Sequence, residues 1–287
     1  LMERGIIDLD NPIGVYWGVS MKNPHYPNDP VTIRNLMTHT SSIFVAGDDV
    51  SLSYGAVRAK LSGGSAYRNV RPGNIGGWAY NNYGYSVLGM TLELAANGKM
   101  NDLLRRDLLT LMDIDAAFAP GDLRDSSQLV TLAYHGGGVA RSAAKQREFH
   151  SPAAPGASGT YFAGGLTINV SDLGKLVALL ANDGQYEGLQ MMKPESVALM
   201  EAVNETQLPD GSYQGLSIRC RKDIYGRERL YFHTGSAYGV YNCMSYDPDT
   251  GDGVVVLTVG ASAAKDSNGI YAVCGDISHE IYNATKK

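Results

Sequence analysis

The sequence is short of charge, of cysteine and of basic clusters. Only 18% of its 287 residues are charged, and the formal net charge is −5. No stretch gathers Lys and Arg into a patch able to displace counterions from phosphates, which excludes nucleic acid as a partner. Arg105-Arg106, the nearest approach to one, reads as a solvated helix face. Cys220, Cys243 and Cys274 lie far apart with no C-x-x-C pair, so thiol-redox and zinc-knuckle chemistry have no support. They leave room for one disulfide and a spare thiol, or they act as small buried hydrophobes, the reading favoured here. No run approaches the ~20 apolar residues of a membrane-spanning helix, and the opening residues show no signal-peptide pattern. The six histidines form neither H-x-x-x-H nor a His/Cys cluster, so neither metal nor cofactor is expected. Gly136-Gly137-Gly138 lacks the strand–helix frame and G-K-[ST] ending of a phosphate loop and reads as a flexible turn. Nothing marks Asp113 and Asp115 as paired glycosidase carboxylates.

Apolar residues make up 44% of the chain, ordinary for a protein with a large core, while 34 glycines and 18 tyrosines are many. Leu1–Gly5 reads as the last turn of a helix closed by a glycine. Val31–His39 reads as a helix capped by Thr32, and 50–61 holds a second short helix. A helix is expected over Tyr83–Ala96, stopped by Asn97-Gly98, and another over Asp102–Leu111. Pro120–Gly159 is a long irregular tract with one strand near Leu129–Ala133. Ser171-Asp172 caps a helix that runs to Asn182-Asp183-Gly184, and Pro194 opens one over Glu195–Val203. After Gly211 the hydrophobic period falls from 3.6 to 2. Four antiparallel strands are expected there, at Tyr213–Arg221, Leu230–Thr234, Val240–Tyr246 and Gly253–Gly260. Gly269–Tyr282 returns to helical spacing and should lie across that sheet. The expected division is a helical lobe over 1–205, then an antiparallel sheet with a C-terminal helix over 206–287.

Two groups of residues stand out chemically. Trp78–Gly89 runs from a Gly-rich loop into a helix, which places Tyr80 and Asn82 at a helix N-terminus, where unpaired N–H groups favour negative charge. Taken alone they are a packed aromatic and a capping amide; as a pair aimed into a cleft they are a base and a substrate amide. A phenol with its ordinary pKa near 10 needs nearby cations to serve as a base at neutrality. His233-Thr234-Gly235-Ser236 ends one expected strand before the next. Gly235 lets a ligand approach the backbone, and the N–H of Ser236 offers an oxyanion donor. A histidine beside a turn is otherwise an ordinary satisfied residue.

Taken in order, Leu36-Met37-Thr38-His39-Thr40-Ser41, Tyr80-Asn81-Asn82 with Gly84 and Leu88-Gly89, Gly164-Gly165-Leu166 before Ser171-Asp172-Leu173, and His233-Thr234-Gly235 resemble the penicillin-recognising serine hydrolases. Class C β-lactamases, D-alanyl-D-alanine carboxypeptidases and esterase-like relatives make up that family. The resemblance implies an α/β (α+β) β-lactamase/transpeptidase-like fold, with an antiparallel sheet flanked by helices and a helical lobe. It implies an acyl-enzyme reaction on a peptide, β-lactam or ester carbonyl. Tyr80 would be the general base, Asn82 the substrate-holding amide, and His233 a partner to Tyr80 or to a substrate carboxylate. Thr234, Gly235 and Ser236 would line the substrate and oxyanion site, and His39 would be structural. Ser42 stands where the family has Gly, which alters a turn and touches no catalytic role. His233 in place of the family's Lys, its charge taken as partial at pH 7, leans towards a peptidase or esterase.

The family's nucleophile motif, S-x-x-K on one helical face, is expected about thirteen residues before Leu1 and is not in this sequence. Ser142-Ala143-Ala144-Lys145 and Ser262-Ala263-Ala264-Lys265 match its letters but follow Tyr80 in the chain. The expectation is therefore a serine hydrolase in its complete form, with the first helix and strands of the fold absent here. The alternative is a truncated or nucleophile-less homologue, inactive alone or serving as a binding or regulatory protein. Missing strands would leave a sheet edge open to self-association or to a partner strand. The ligand would be a small molecule or peptide, and relatives of this kind imply a periplasmic or extracellular location for the complete form.

Overall fold

The computed structural model describes residues 1–45 and 50–285. They form two compact units, one of residues 1–107 with 151–166, the other of 108–150 with 167–287. The expected boundary near 205 followed the change in hydrophobic period. The structure instead groups residues 108–150 and 167–205 with the sheet, because the helix over Val170–Ala181 packs on it.

In the first unit, Leu1–Gly5 closes as expected. Ile6 donates to the Leu1 carbonyl at 3.1 Å and Gly5, at φ +68°, to that of Met2 at 2.8 Å, the paired bonds of a glycine-terminated helical turn. Helix α1 (Ile33–Met37) starts on a reciprocal cap, in which Thr32 Oγ1 accepts from the Asn35 N–H and Asn35 Oδ1 from the Thr32 N–H. Helices α2 (Tyr54–Ser62) and α3 (Asn82–Ala96) follow. Helix α3 is apolar nearly all round, with Tyr83, Val87, Leu88 and Met90 buried, so it must be covered on several sides. Residues 151–166 supply part of that cover: a Cβ on Gly89 would sit 2.1 Å from the Phe162 ring, and one on Gly159 would meet Ser86 at 2.9 Å. The buried Glu93 carboxylate accepts the N–H groups of Met100 and Gly156, both at 2.7 Å, and so ties the returning segment to α3.

The helix expected over Asp102–Leu111 is seen as Met100–Leu104 followed by a wider turn at Arg105–Leu109. The tract 120–159 holds more structure than its Gly-rich composition suggested. Strands β1 (Leu132–Ala133) and β2 (Val139–Arg141) form a hairpin whose tip is Gly136–Gly138, all three at positive φ. A short helix α4 (Ala143–Arg147) is capped by Ser142, whose Oγ accepts the Lys145 N–H at 3.1 Å, while Lys145 Nζ pairs with Glu148. This S-x-x-K match is a helix cap. Helix α5 (Val170–Ala181) is capped by Asn169, two residues earlier than expected, because the Asn169 side chain reaches the Asp172 N–H at 2.9 Å. Helix α6 (Pro194–Glu201) opens on Pro194 as expected.

The second unit is built on a five-stranded antiparallel sheet: β3 (Tyr213–Gln214), β4 (Arg219–Ile224), β5 (Arg227–Ala237), β6 (Val240–Tyr246) and β7 (Gly253–Val256), in the order β7-β6-β5-β4-β3. The single strand expected over Tyr213–Arg221 is two, because the chain turns at Gly215–Ile218 with Ser217 at φ +60°. Alternation along β5 sorts the core into two faces. Leu230 and Phe232 join Cys243, Val254, Val256 and helix α7 (Ala272–Ala284) on one side. Tyr231 joins Cys220, Tyr246 and Val177 of α5 on the other. The closing helix thus lies across the sheet as its spacing predicted. All three cysteines are free and buried, as favoured. Among the described residues no helix is long and apolar enough to cross a membrane.

Candidate active site

Tyr80 and Asn82 belong to the first unit, and His233–Ser236 to the second. In the first unit Asn81 is the helix cap. Its side chain accepts the Gly84 N–H at 3.3 Å and donates to the Ile43 carbonyl. Asn82 is therefore left exposed as the first residue of α3, with no capping duty. Tyr80 precedes the cap and is 47% exposed, so about half of it is open to solvent. Its ring packs at 4.5 Å from that of His39, which also meets Tyr85 at 4.7 Å and Trp78 at 6.0 Å. His39 Nδ1 accepts the Asn81 N–H at 3.2 Å, which puts the ring proton on Nε2. His39 is structural, as expected, but it bears directly on the candidate base: it fixes the backbone after Tyr80 and gives the phenol one wall. The motif order carried that contact without showing it.

Ser42, at φ +62°, occupies the left-handed region that explains a glycine there in relatives. Its Oγ accepts a 2.9 Å bond from Asn23, a fully buried amide that also donates to the carbonyls of Arg68 and Val70. The serine offsets its backbone strain with that bond, and the turn leading from His39 is held.

In the second unit, β4 pairs with β5 only as far as Arg219 opposite Phe232, whereas β6 pairs with β5 through Ala237. His233–Ala237 therefore overhangs the end of β4, with one strand edge unpaired by any strand of the sheet. Gly235 and Ser236 are exposed there. Gly235 has no positive φ, and a Cβ on it would touch only Asn242 at an ordinary 3.7 Å. The unit's own packing does not demand glycine at this position, and a side chain there would meet no closer neighbour.

Burial pulls the His233 imidazole down to about 4, with the Arg219 charge adding to it. His233 is therefore neutral at pH 7, which corrects the expectation of partial charge. It offers a hydrogen bond and no cation. Positive charge beside the strand comes from Arg219, which pairs with Asp210 and donates to Thr234 Oγ1 at 3.4 Å. The second S-x-x-K match lies in irregular chain, where Ser262 Oγ accepts the Ala264 N–H and Lys265 stacks over Tyr271.

With this geometry the second unit is of the class in which helices pack on both faces of an antiparallel sheet. Solved structures share the fold. The octameric penicillin-binding protein homologue from Pyrococcus abyssi aligns with a TM-score of 0.69 at 20% identity, covering 95% of this chain and 61% of its own. A class C β-lactamase from Rhodobacter sphaeroides gives 0.70 at 17% over 98% and 80%. The D-amino acid amidase of Ochrobactrum anthropi SV3 gives 0.65 at 19% over 98% and 76%. The chain thus spans less than two thirds of the first of these. No curated protein sequence matches it. The profile described as Beta-lactamase matches residues 1–272, and the chain belongs to that family.

Proposed function

We propose that the protein, in its complete form, is a serine hydrolase that forms an acyl-enzyme on an amide, lactam or ester carbonyl. The observation that carries this reading is the overhang of His233–Ala237 beyond β4, with an exposed glycine that its own fold does not require. An unpaired strand edge presents N–H groups to a carbonyl oxygen, and Ser236 N–H is the assigned oxyanion donor. Tyr80 takes the proton of the attacking serine and returns it to the leaving group. Asn82, released from capping, holds the substrate amide, and His233 is a neutral hydrogen-bonding group on the strand that carries Ser236. A water then hydrolyses the acyl-enzyme and frees the serine. The D-amino acid amidase and the class C β-lactamase among the similar folds support amides or lactams as the substrate class.

A second reading is a nucleophile-less binding or regulatory protein; of the two S-x-x-K matches in this sequence, Ser142 caps a helix and Ser262 holds a turn. Intact-mass analysis after treatment with a fluorescent penicillin or a fluorophosphonate separates the two. A covalent adduct on a serine of an S-x-x-K helix outside this sequence supports the hydrolase. Reversible retention of ligand with no adduct supports the binding protein, and an adduct on Ser142 overturns both. The outer edge of β7, unpaired in this sheet, is the assigned place for self-association or a partner strand.

A further inference from the structure

Arg141 is the one arginine of the second unit, among the described residues, whose guanidinium has no hydrogen-bond acceptor. The others donate to carboxylates, hydroxyls or carbonyls: Arg124 to Asp113, Arg147 to Ser126, Arg219 and Arg221 to Asp210, Arg227 to Asp247, and Arg229 to Asp249. Arg141 is flanked by rings instead. Its Cζ lies 3.8 Å from the Tyr238 ring centroid and 4.7 Å from that of Phe149. Aromatic faces satisfy a guanidinium face through the ring quadrupole. They leave its N–H edge, which points in the plane, free for a planar anion.

The placement is built rather than incidental. Tyr238 and Gly239 connect β5 to β6 with φ of +53° and +77°, the two positive angles of a tight hairpin turn. Tyrosine at positive φ costs ~1–3 kcal/mol, and such strain persists only where the surroundings over-determine it. Here the β1–β2 hairpin does so. A Cβ on Gly239 would lie 2.0 Å from the Ala133 carbonyl oxygen, so hairpin and turn are in backbone contact. Gly260 N–H donates to the Gly239 carbonyl at 2.9 Å, and His135 Nδ1 lies 3.2 Å from the Gly260 carbonyl. Arg141 is thus fixed beside the outer end of the strand that carries His233–Ala237. Ser236 and Tyr238 stand two residues apart, about 7 Å along a strand.

We infer that Arg141, held by Tyr238 and Phe149, is a specificity-determining residue that binds a carboxylate on the ligand lying along the overhanging end of β5. The ligand class is an N-acyl amino acid or peptide with a free carboxylate, as opposed to a neutral ester or amide. The assignment of substrate class rests on the hydrolase reading above; the anion site itself does not. In that reading Arg141 orients the acyl compound and takes no part in bond making.

The test is binding, which needs no turnover. N-acetylglycine and N-acetylglycinamide are titrated against the protein by ligand-observed NMR and calorimetry. The expected result is saturable binding of the carboxylate, weakened about tenfold or more in Arg141→Ala, as loss of a charge-assisted pair requires. Arg141→Lys should retain part of it and Tyr238→Ala should lose several-fold, with the carboxamide indifferent to all three. Thermal melts of each variant check folding, and the lysine variant keeps the comparison valid if alanine disturbs the hairpin. Absence of saturable binding, equal binding of the carboxamide, or carboxylate binding unchanged in Arg141→Ala overturns the inference. Arg141-dependent binding without a covalent adduct in the labelling experiment sustains the anion site and removes the hydrolase. An adduct whose formation ignores both carboxylate and Arg141 does the reverse.

Discussion

Tyr80 exposes about half its surface, and its ring leans on that of His39. Replacing it with Phe keeps the ring against His39 and removes only the oxygen. Tyr80→Phe should lower the rate of acyl transfer at least a hundredfold, the ordinary yield of a positioned base; stopped-flow hydrolysis of a chromogenic ester or lactam reads it, and a thermal melt checks that the variant folds. His233 invites a different measurement. Its folded value near 4 lies below the usual 6.5, so the unfolded chain binds a proton over that interval while the folded one does not. Stability from this group is complete above pH 6.5 and falls as pH drops towards 4. NMR titration should place the His233 midpoint near 4, and denaturation of His233→Gln should lose part of the acid sensitivity in that window. A midpoint at 6 or above would mean that the imidazole is solvated.

At the scale of elements, neighbouring asparagines at the start of α3 divide two tasks. Asn81→Ala removes a cap and a buried bond to Ile43 and should cost ~1–2 kcal/mol in urea denaturation. Asn82→Ala, exposed and capping nothing, should leave stability within ~0.5 kcal/mol and raise KM if the amide holds substrate. The sequence announced the helix through its apolar spacing and its Asn97-Gly98 stop, and Thr32 announced α1. It did not distinguish Asn81 from Asn82, because both are good cap residues and the choice is made by Ile43, which is remote in the chain. Likewise the β1–β2 hairpin was hidden: its strands are two and three residues long and its tip is glycine, so no period builds up. The turn at Gly215–Ile218 escaped because alternation continues across it, and the overhang of β5 could not be seen from one strand, since an overhang is a difference in length between two.

At the scale of the whole molecule, composition spoke for itself on the cysteines. All three are buried, and burial pushes the thiols of Cys220 and Cys274 up to about 11 and that of Cys243 higher still. Thiolate is the reactive form, so Ellman's reagent should titrate none of them in the native protein and all three after unfolding in guanidinium. A native thiol titrating at the rate of free cysteine would show that the sheet opens under ordinary conditions. Domain organisation was the least legible property, because hydrophobic period reports the kind of element and says nothing of what it packs against.

The first unit leaves the chain at residue 107 and resumes at 151, and the Asn101 amide touches the Ser151 hydroxyl at 2.9 Å. The excursion thus starts within a few residues of the point to which it returns. During synthesis α3 emerges well before the segment that supplies the Phe162 ring for the notch at Gly89 and the Gly156 N–H for Glu93. The earlier half of the polypeptide must wait, with an apolar helix uncovered and a carboxylate unmatched, until translation has passed residue 166. Its maturation is timed by a stretch that belongs to its neighbour.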